Sequence, residues 1–202
     1  AEAVTKAAVT DVPLSSVFKD GMHYEVRRRY LDALLTSQTQ QARSIIDEAH
    51  SQGISLTDLY EEVLTKVMYE VGELWHQSIL TVDREHYATS VTQTIMSRFY
   101  DEICNSPRKN KTLVSCAVGS ELHEIGVRML SDLFEHSGWN TYYLGAALPE
   151  NAILQAIDDY KPDLVALSVT MPPYLGVCEN IVTAIKNKFP AVKIAVGGQA
   201  FR

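Results

Sequence analysis

Apolar residues recur three or four positions apart through the first half of the chain, which is the spacing of an amphipathic helix. Ser55 and Thr81 each precede such a stretch, as N-cap residues do. Helices are predicted over residues 23–35, 37–51, 56–77 and 82–103. Because the connections between them are short, we expect an up-and-down bundle.

The period changes after Asn105-Ser106-Pro107, where short apolar runs begin to alternate with helical segments. Strands are predicted over 112–118, 141–144, 164–169 and 192–196, and helices over 122–136, 150–160 and 174–189. This alternation is typical of a parallel sheet with helices on both faces. The predicted fold is α/β: an N-terminal four-helix bundle cap over 23–106, then a Rossmann-like (flavodoxin-like) parallel-sheet domain over 107–202.

The two ends of the chain lie outside this pattern. Residues 1–22 are mostly small and polar and are predicted to be a flexible N-terminal arm. Arg202 follows directly on the fourth predicted strand, where folds of this class normally continue with a further strand and helix. We therefore expect a truncated or partly ordered C-terminus.

Composition narrows the class of protein. The chain has 202 residues and a net charge of -7, which argues against a nucleic-acid surface because such a surface needs a field of Lys and Arg. No stretch of 18 apolar residues is present, so no membrane span is expected. No secretory leader opens the chain, and its three cysteines form no CxxC motif. These features predict a cytoplasmic protein with reduced thiols.

Candidate chemistry lies in the loops after the predicted strands, because ligands of open α/β sheets bind outside the carboxyl ends of the strands. Glu121 stands two residues before His123, and a carboxylate on one imidazole nitrogen raises the basicity of the other. Gly126 would allow a large ligand to approach the backbone. Taken alone, this segment is better explained by a surface histidine that caps a helix. The third and fourth strands end at Ser168, Thr170, Gly197 and Gly198.

These three segments together resemble the cobalamin-binding fold, whose pattern is DxHxxG, then SxL or SxT, then GG at these separations. The resemblance covers nearly the whole chain, since that fold often follows a four-helix cap. It implies that His123 is the lower cobalt ligand, in place of the dimethylbenzimidazole of the cofactor tail, and that Glu121 fills the usual Asp position behind it. It also implies that the third-strand hydroxyls bind the nucleotide tail and that the fourth-strand glycines leave room for it.

A second resemblance lies in the helical half, where Trp75-His76 precedes Val82, Glu85 and His86. This arrangement is similar to the CarH-type cobalamin photoreceptors, in which the Trp covers the upper face around the adenosyl group and the Glu and its neighbours contact that group. It implies that His76 becomes the upper cobalt ligand after light cleaves the cobalt–carbon bond. Without the resemblance, Trp75 is explained as a core residue, His86 as a buried histidine and His76 as a solvated helix end.

Two departures from the known patterns bear on function. CarH-type proteins carry an N-terminal MerR-like DNA-binding domain, for which residues 1–22 are too short, so we expect their sensory half or a stand-alone relative. Methyl carriers usually read DxHDxGKN, with a serine that completes an Asp-His-Ser relay. Here Glu121 replaces the Asp, Val127-Arg128 replaces the Lys-Asn pair, and Tyr174 falls near the expected serine.

The leading interpretation is a cobalamin-binding sensory module without catalytic residues, light-responsive through adenosylcobalamin and with base-off/His-on cobalt. Methylcobalamin and hydroxocobalamin are alternative cofactor forms. The second interpretation is a corrinoid methyl carrier for a methyltransferase system, and the third is a haem-binding sensor on the same fold. The output partner and the oligomeric state, a homo-oligomer included, are left open.

Overall fold

The computed structural model describes residues 12–201, which divide into two compact units between Phe99 and Tyr100. The first unit is helical, and the second contains a four-stranded parallel sheet with helices. The predicted combination of a helical N-terminal region and a Rossmann-like domain is confirmed. No helix within residues 12–201 is long and apolar enough to cross a membrane.

The helices of the first unit follow one another with short connections. They are α1 (Ser16–Lys19), α2 (Tyr24–Leu35), α3 (Thr39–Ser51), α4 (Leu56–Asp58), a π-helical segment (Leu59–Leu64), α5 (Thr65–His76), α6 (Val82–Met96) and a 3-10 turn (Ser97–Phe99). Ser55 caps α4, because its hydroxyl accepts a hydrogen bond from the Asp58 amide at 3.1 Å and donates to the Asp58 carboxylate. Thr81 stands at the N-cap of α6 but makes no side-chain cap bond.

The apolar face predicted for residues 56–77 forms much of the core of this unit. Its members Leu59, Tyr60, Val63, Leu64 and Val67 are completely buried. The predicted single helix is interrupted by the π-helical segment, in which the Thr65 amide bonds to the carbonyl of Tyr60, five residues back. Periodicity does not reveal this interruption, because the burial pattern continues through it.

Residues 12–22, which fall within the predicted arm, pack onto the helical unit through Ser15 and Phe18. Phe18 on α1 is completely buried. Ser15 caps α1 and donates both its amide and its hydroxyl to the buried carboxylate of Glu70. A four-residue helix is too short to show an apolar period, so the sequence pattern did not predict it. The remainder of the predicted arm, residues 1–11, lies outside the described residues.

Arg27 holds this N-terminal segment in place. Its side chain is completely buried, and its guanidinium donates only to backbone carbonyls within hydrogen-bond distance. The acceptors are Phe18 at 3.0 Å, Asp20 at 2.8 Å, Met22, and Glu62 of the π-helical segment at 3.0 Å. One side chain therefore binds carbonyls on two separate segments, and its loss would remove a hydrogen-bond donor from each of them.

We predict that Arg27→Met lowers the free energy of unfolding by about 3–5 kcal/mol, because Met fills the volume but removes the buried donor that four carbonyls share. Arg28→Met is the matched control, since Arg28 is partly exposed and pairs with the exposed Glu25 at 2.9 Å. Urea unfolding of the two variants and the wild type measures the difference. Equal midpoints for the two variants would contradict this role of Arg27.

The second unit alternates strands and helices. Its elements are α7 (Tyr100–Cys104), β1 (Thr112–Ala117), α8 (Ile125–His136), β2 (Asn140–Tyr143), α9 (Glu150–Tyr160), β3 (Leu164–Ser168), a 3-10 turn (Pro172–Tyr174), α10 (Leu175–Lys188), β4 (Lys193–Gly197) and a 3-10 turn (Gln199–Phe201). The strands are parallel in the order β2-β1-β3-β4. The order reverses between β1 and β3, so their carboxyl ends border the crevice where such sheets bind ligands.

Buried aliphatic side chains from β1 and β3 pack with α9 and α10 on one face of this sheet. Ser115 of β1 bonds to Ser131 of α8, which places α8 on the opposite face. Cys116 lies within the core, where burial raises the pKa of its thiol to about 12. It therefore acts as a small apolar residue. Cys104, Cys116 and Cys178 are all free thiols.

Helix α8 begins at Ile125, three residues later than predicted. The residues before it form a loop, because the His123 amide bonds to the Glu121 side chain instead of entering the helical ladder. His123 therefore projects from a loop at the carboxyl end of the sheet.

Candidate functional site

His123 and Glu121 form a pair on the loop after β1. The imidazole Nδ1 is hydrogen-bonded to Glu121 Oε1, and the His123 amide donates to the same oxygen at 3.1 Å. Glu121 is buried, with 1 % of its surface exposed, whereas 48 % of the His123 side chain is exposed. An ionised carboxylate accepts a proton-bearing nitrogen, so Nδ1 carries the hydrogen and Nε2 keeps its lone pair. Nε2 makes no hydrogen bond within residues 12–201.

The other oxygen of Glu121 binds the loop after β3. It accepts the backbone amides of Thr170 and Met171 at 3.0 and 2.8 Å. Burial is the largest influence on the pKa of Glu121 and raises it, but the hydrogen bonds from His123, Met171 and Thr170 together outweigh burial and lower the pKa below its usual value. The carboxylate is therefore ionised at neutral pH, as the Nδ1–H tautomer of His123 requires.

The main chain of Glu121 also binds the loop after β2. Its carbonyl accepts the Ala147 amide at 3.2 Å, and the next residue, Leu148, forms a parallel bridge with Val118. Ala147 has a φ of +56°, a left-handed conformation that a non-glycine residue adopts only where its surroundings impose it. Glu121 thus connects the loops that follow three different strands.

Ser168 and Thr170 stand where their strand ends beside this pair. Ser168 is the last residue of β3 and lies in register with Ala117 of β1 and Gly197 of β4. Both residues are half-buried, and neither hydroxyl makes a hydrogen bond inside the described part of the chain. Each hydroxyl is therefore available to a polar ligand.

The two adjacent glycines at the end of β4 differ in their surroundings. A Cβ on Gly198 would lie 2.1 Å from the carbonyl oxygen of Val169, and its φ of +112° favours glycine. A Cβ on Gly197 would meet no atom within 4 Å, and the same is true of Gly126 at the start of α8. The predicted role of leaving room for a ligand therefore fits Gly197 and Gly126, whereas the close approach to Val169 explains Gly198 without a ligand.

Tyr174, which falls near the serine expected of a methyl carrier, lies beside the loop after β1. Its ring atom Cδ1 would lie 3.5 Å from a Cβ on Gly119, the first residue of the loop after β1. Within residues 12–201 no hydroxyl group donates to Glu121, because its side-chain partners are backbone amides and the imidazole. The hydrogen-bond chain from His123 therefore ends at Glu121.

The predicted residues of the helical unit lie at the end of α5 and the start of α6. Trp75 is 40 % exposed and Val82 is 54 % exposed. His86 has 75 % of its side chain exposed and lies 3.4 Å from the Glu85 carboxylate, which also accepts the Thr89 hydroxyl at 2.8 Å. The alternatives of a core Trp75 and a buried His86 are therefore wrong. His76, the last residue of α5, is exposed, as either explanation of it requires.

The site also contains groups that sequence analysis did not predict. The amides of Met171 and Ala147 hold Glu121, but every residue except proline has a backbone amide, so these positions have no side-chain signature. Glu124 accepts a hydrogen bond from Tyr143 at 2.8 Å. The signal for Glu124 was its place directly after His123 in the sequence.

The donor set fits a corrin better than a metal ion bound by protein alone. Within residues 12–201 no group of three or more His, Cys, Asp or Glu side chains could hold a metal ion. A corrin supplies four nitrogens of its own, so one oriented imidazole completes the lower side. The free Nε2 of His123, the unbonded hydroxyls of Ser168 and Thr170, and the open space at Gly197 meet these requirements.

Two family models match the chain, and each is described as a B12 binding domain. One matches residues 111–202 and the other residues 26–100, so together they cover both units. The chain belongs to the cobalamin (B12)-binding family, as the residues of its second unit predicted.

Relatives of two kinds are similar to this chain. The HTH-type transcriptional repressor CarH of Myxococcus xanthus is 28 % identical over 146 residues, which are 71 % of this chain and 48 % of CarH. The repressor CarA of the same organism is 27 % identical over 88 % of this chain and 59 % of CarA. Trimethylamine corrinoid protein 1 of Methanosarcina acetivorans is 25 % identical over 86 % of this chain and 83 % of that protein. The chain thus spans only about half the length of the two repressors.

The fold is also that of a solved corrinoid protein. The monomethylamine corrinoid protein of Methanosarcina barkeri superimposes with a TM-score of 0.76, over 87 % of this chain and 85 % of that one, at 16 % identity. At this identity the likeness shows a shared fold and nothing finer.

We predict opposite results for the two adjacent glycines. Gly198→Ala should lower the free energy of unfolding by at least about 2 kcal/mol, since the new methyl group would overlap the Val169 carbonyl and the backbone conformation disfavours alanine. Gly197→Ala should leave stability nearly unchanged, because its Cβ meets open space. Thermal unfolding of both variants in the absence of cofactor measures this. A larger loss for Gly197→Ala would contradict these environments.

Proposed function

We propose that this chain is a cobalamin-binding sensory module that responds to light through adenosylcobalamin. Cobalamin binding in this proposal rests on the pair formed by His123 and Glu121, which presents a free imidazole nitrogen where the strand order reverses. The sensory role rests on the exposed Trp75-His76 pair at the end of α5. The likeness to CarH, named as a transcriptional repressor, supports a regulatory role over a catalytic one. When bound, adenosylcobalamin would supply a cobalt–carbon bond that light can cleave.

His123 would bind cobalt through Nε2 in the base-off/His-on form. Glu121 would hold the proton on Nδ1 and keep the ring in one orientation, because its own position is set by amides on three loops. The hydroxyls of Ser168 and Thr170 would bind polar groups of the nucleotide tail, and the open space at Gly197 would accept its base. Nε2 of His123 and the two hydroxyls have no other hydrogen-bond partner in the described structure. The Glu121 carboxylate has a fixed orientation.

Residues at the α5–α6 connection would act on the upper ligand. Trp75 and Val82 offer exposed apolar surface to an adenosyl group, and Glu85 and His86 offer polar groups beside it. His76, next to Trp75, would become the second cobalt ligand once the adenosyl group has left. The exposure of Trp75, His76, Val82 and His86 supports this role, since none of these four side chains is buried in the core of the helical unit.

A corrinoid methyl carrier is the second candidate, favoured by one observation. The trimethylamine corrinoid protein is covered over 83 % of its length, far more than either repressor. The hydrogen bonds of Glu121 argue the other way. Its second oxygen accepts the amides of Thr170 and Met171, and no serine hydroxyl bonds to Glu121 within residues 12–201.

We predict that His123→Ala abolishes the base-off/His-on spectrum of bound cobalamin while the protein stays folded. Glu121→Gln should be milder and weaken cobalamin binding about 10–100-fold, the usual effect of removing the partner of a metal-bound histidine. Titration with cobalamin, followed by visible absorption, compares both variants with the wild type. His50→Ala is a control, because His50 lies in the helical unit and bonds to a backbone carbonyl at 3.1 Å. An unchanged spectrum in His123→Ala would show that the ligand is wrongly assigned.

We predict that green light changes the visible spectrum of the adenosylcobalamin-loaded chain and that His76→Ala changes the illuminated spectrum alone. The variant should bind adenosylcobalamin in the dark, because His76 is not a ligand in that state. After illumination it should keep water on cobalt, where the wild type shows two histidine ligands. His50→Ala is the control, since His50 lies on α3, bonds to the Ile54 carbonyl at 3.1 Å and is not part of the proposed site.

Each other result has a definite meaning in this experiment. Identical illuminated spectra for His76→Ala and the wild type would make His76 a solvated helix end. A chain that ignores light but is methylated and demethylated by a methyl donor and acceptor would be a methyl carrier. A Soret band in the purified protein would indicate haem.

A further inference from the structure

A second carboxylate adjoins His123 on the side opposite Glu121. Glu124 lies at the N-cap of α8, where an acidic side chain usually accepts an amide of the first helical turn. Here it makes no such bond and instead accepts the phenolic hydroxyl of Tyr143 at 2.8 Å. The bond joins residues 19 positions apart, so it crosses from the start of α8 to the end of β2.

The end of β2 is a rigid place to attach a loop. Tyr143 lies in register with Ser115 of β1, and the Leu144 amide after it donates to the Ser115 carbonyl at 2.9 Å. Gly145 lies close to this hydrogen bond, since a Cβ at that position would come within 3.4 Å of Glu124 Oε2. Burial and the bond to Glu124 both raise the pKa of Tyr143, so its hydroxyl remains a donor at neutral pH.

We infer that Glu124 and Tyr143 are positioning residues that fix His123 from its carboxyl side, as Glu121 does from its amino side. The loop from Glu121 to Glu124 is then held at both ends, by amides of the β3 loop at one and by the last residue of β2 at the other. With both ends held, the free Nε2 keeps one direction before any cofactor arrives. This inference rests on the proposed function only for the identity of the ligand that Nε2 binds.

Tyr143→Phe tests the inference, because it removes the hydroxyl and keeps the ring. In the full chain without cofactor, hydrogen exchange should rise about fivefold at the amides of His123, bonded to Glu121, and Arg128, bonded to the Glu124 carbonyl. That is the order expected when one partly buried hydrogen bond is lost. In the chain loaded with cob(II)alamin, the ratio of histidine-bound to histidine-free cobalt, read from nitrogen splitting in the electron paramagnetic resonance spectrum, should fall by about the same factor.

Two further variants make the result specific. Tyr142→Phe is the matched control, since its ring stacks on Tyr160 with centroids 3.7 Å apart, and it should change neither measurement. Glu124→Gln keeps an oxygen acceptor for the phenol and should lie between the wild type and Tyr143→Phe.

The outcomes separate this inference from the proposed function. A wild type that binds no cobalamin would refute the proposed function. The exchange measurement would still test whether the bond between Tyr143 and Glu124 holds the His123 loop. Faster exchange spread evenly over the whole sheet would make Tyr143 a stability residue and overturn the inference. Unchanged exchange at His123 in Tyr143→Phe would overturn it as well.

Discussion

The candidate site depends on one buried carboxylate. Glu121 accepts the imidazole and the amide of His123 with one oxygen and the amides of Thr170 and Met171 with the other. A charge buried without such partners would be expensive, so the loops after β1 and β3 cannot move apart without leaving it unsatisfied. The same hydrogen bonds also orient the His123 imidazole. Any change that loosens the loops would therefore also change the direction of its free nitrogen.

The helical unit uses a buried charge in a comparable way. Arg27 is surrounded by backbone carbonyls of the N-terminal segment and of the π-helical segment, as Glu121 is surrounded by amides. In both cases a charged side chain forms hydrogen bonds with backbone amides or carbonyls of loops and of short or irregular helical segments. A regular helix or sheet provides such partners only for its own groups. Each unit thus contains irregular segments whose positions are set by one ionised group.

A sensor and a methyl carrier would use some features of this site in the same way and others differently. Lower-side ligation by His123 serves a sensor and a methyl carrier equally, because both need a corrin held beside the sheet. The difference lies in what surrounds the ligand: a relay that ends at Glu121, Tyr174 near Gly119, and an exposed Trp75-His76 pair at a helix end. These features support the proposed sensor, in which His123 would remain bound to cobalt while the upper ligand is exchanged.

The sequence by itself determined the class of fold, the family and the candidate ligand. Periodicity distinguished helices from strands because burial repeats every 3.6 residues on a helix and the lengths of the runs separate the two. The motif around His123 could be recognised in the sequence because a carboxylate two residues before a histidine indicates an oriented imidazole. Four features had no such signature: the packing of residues 12–22, the π-helical segment, the exposure of Trp75 and the different surroundings of Gly197 and Gly198. Each depends on which backbone groups and side chains come together from distant segments, and only the tertiary structure decides that.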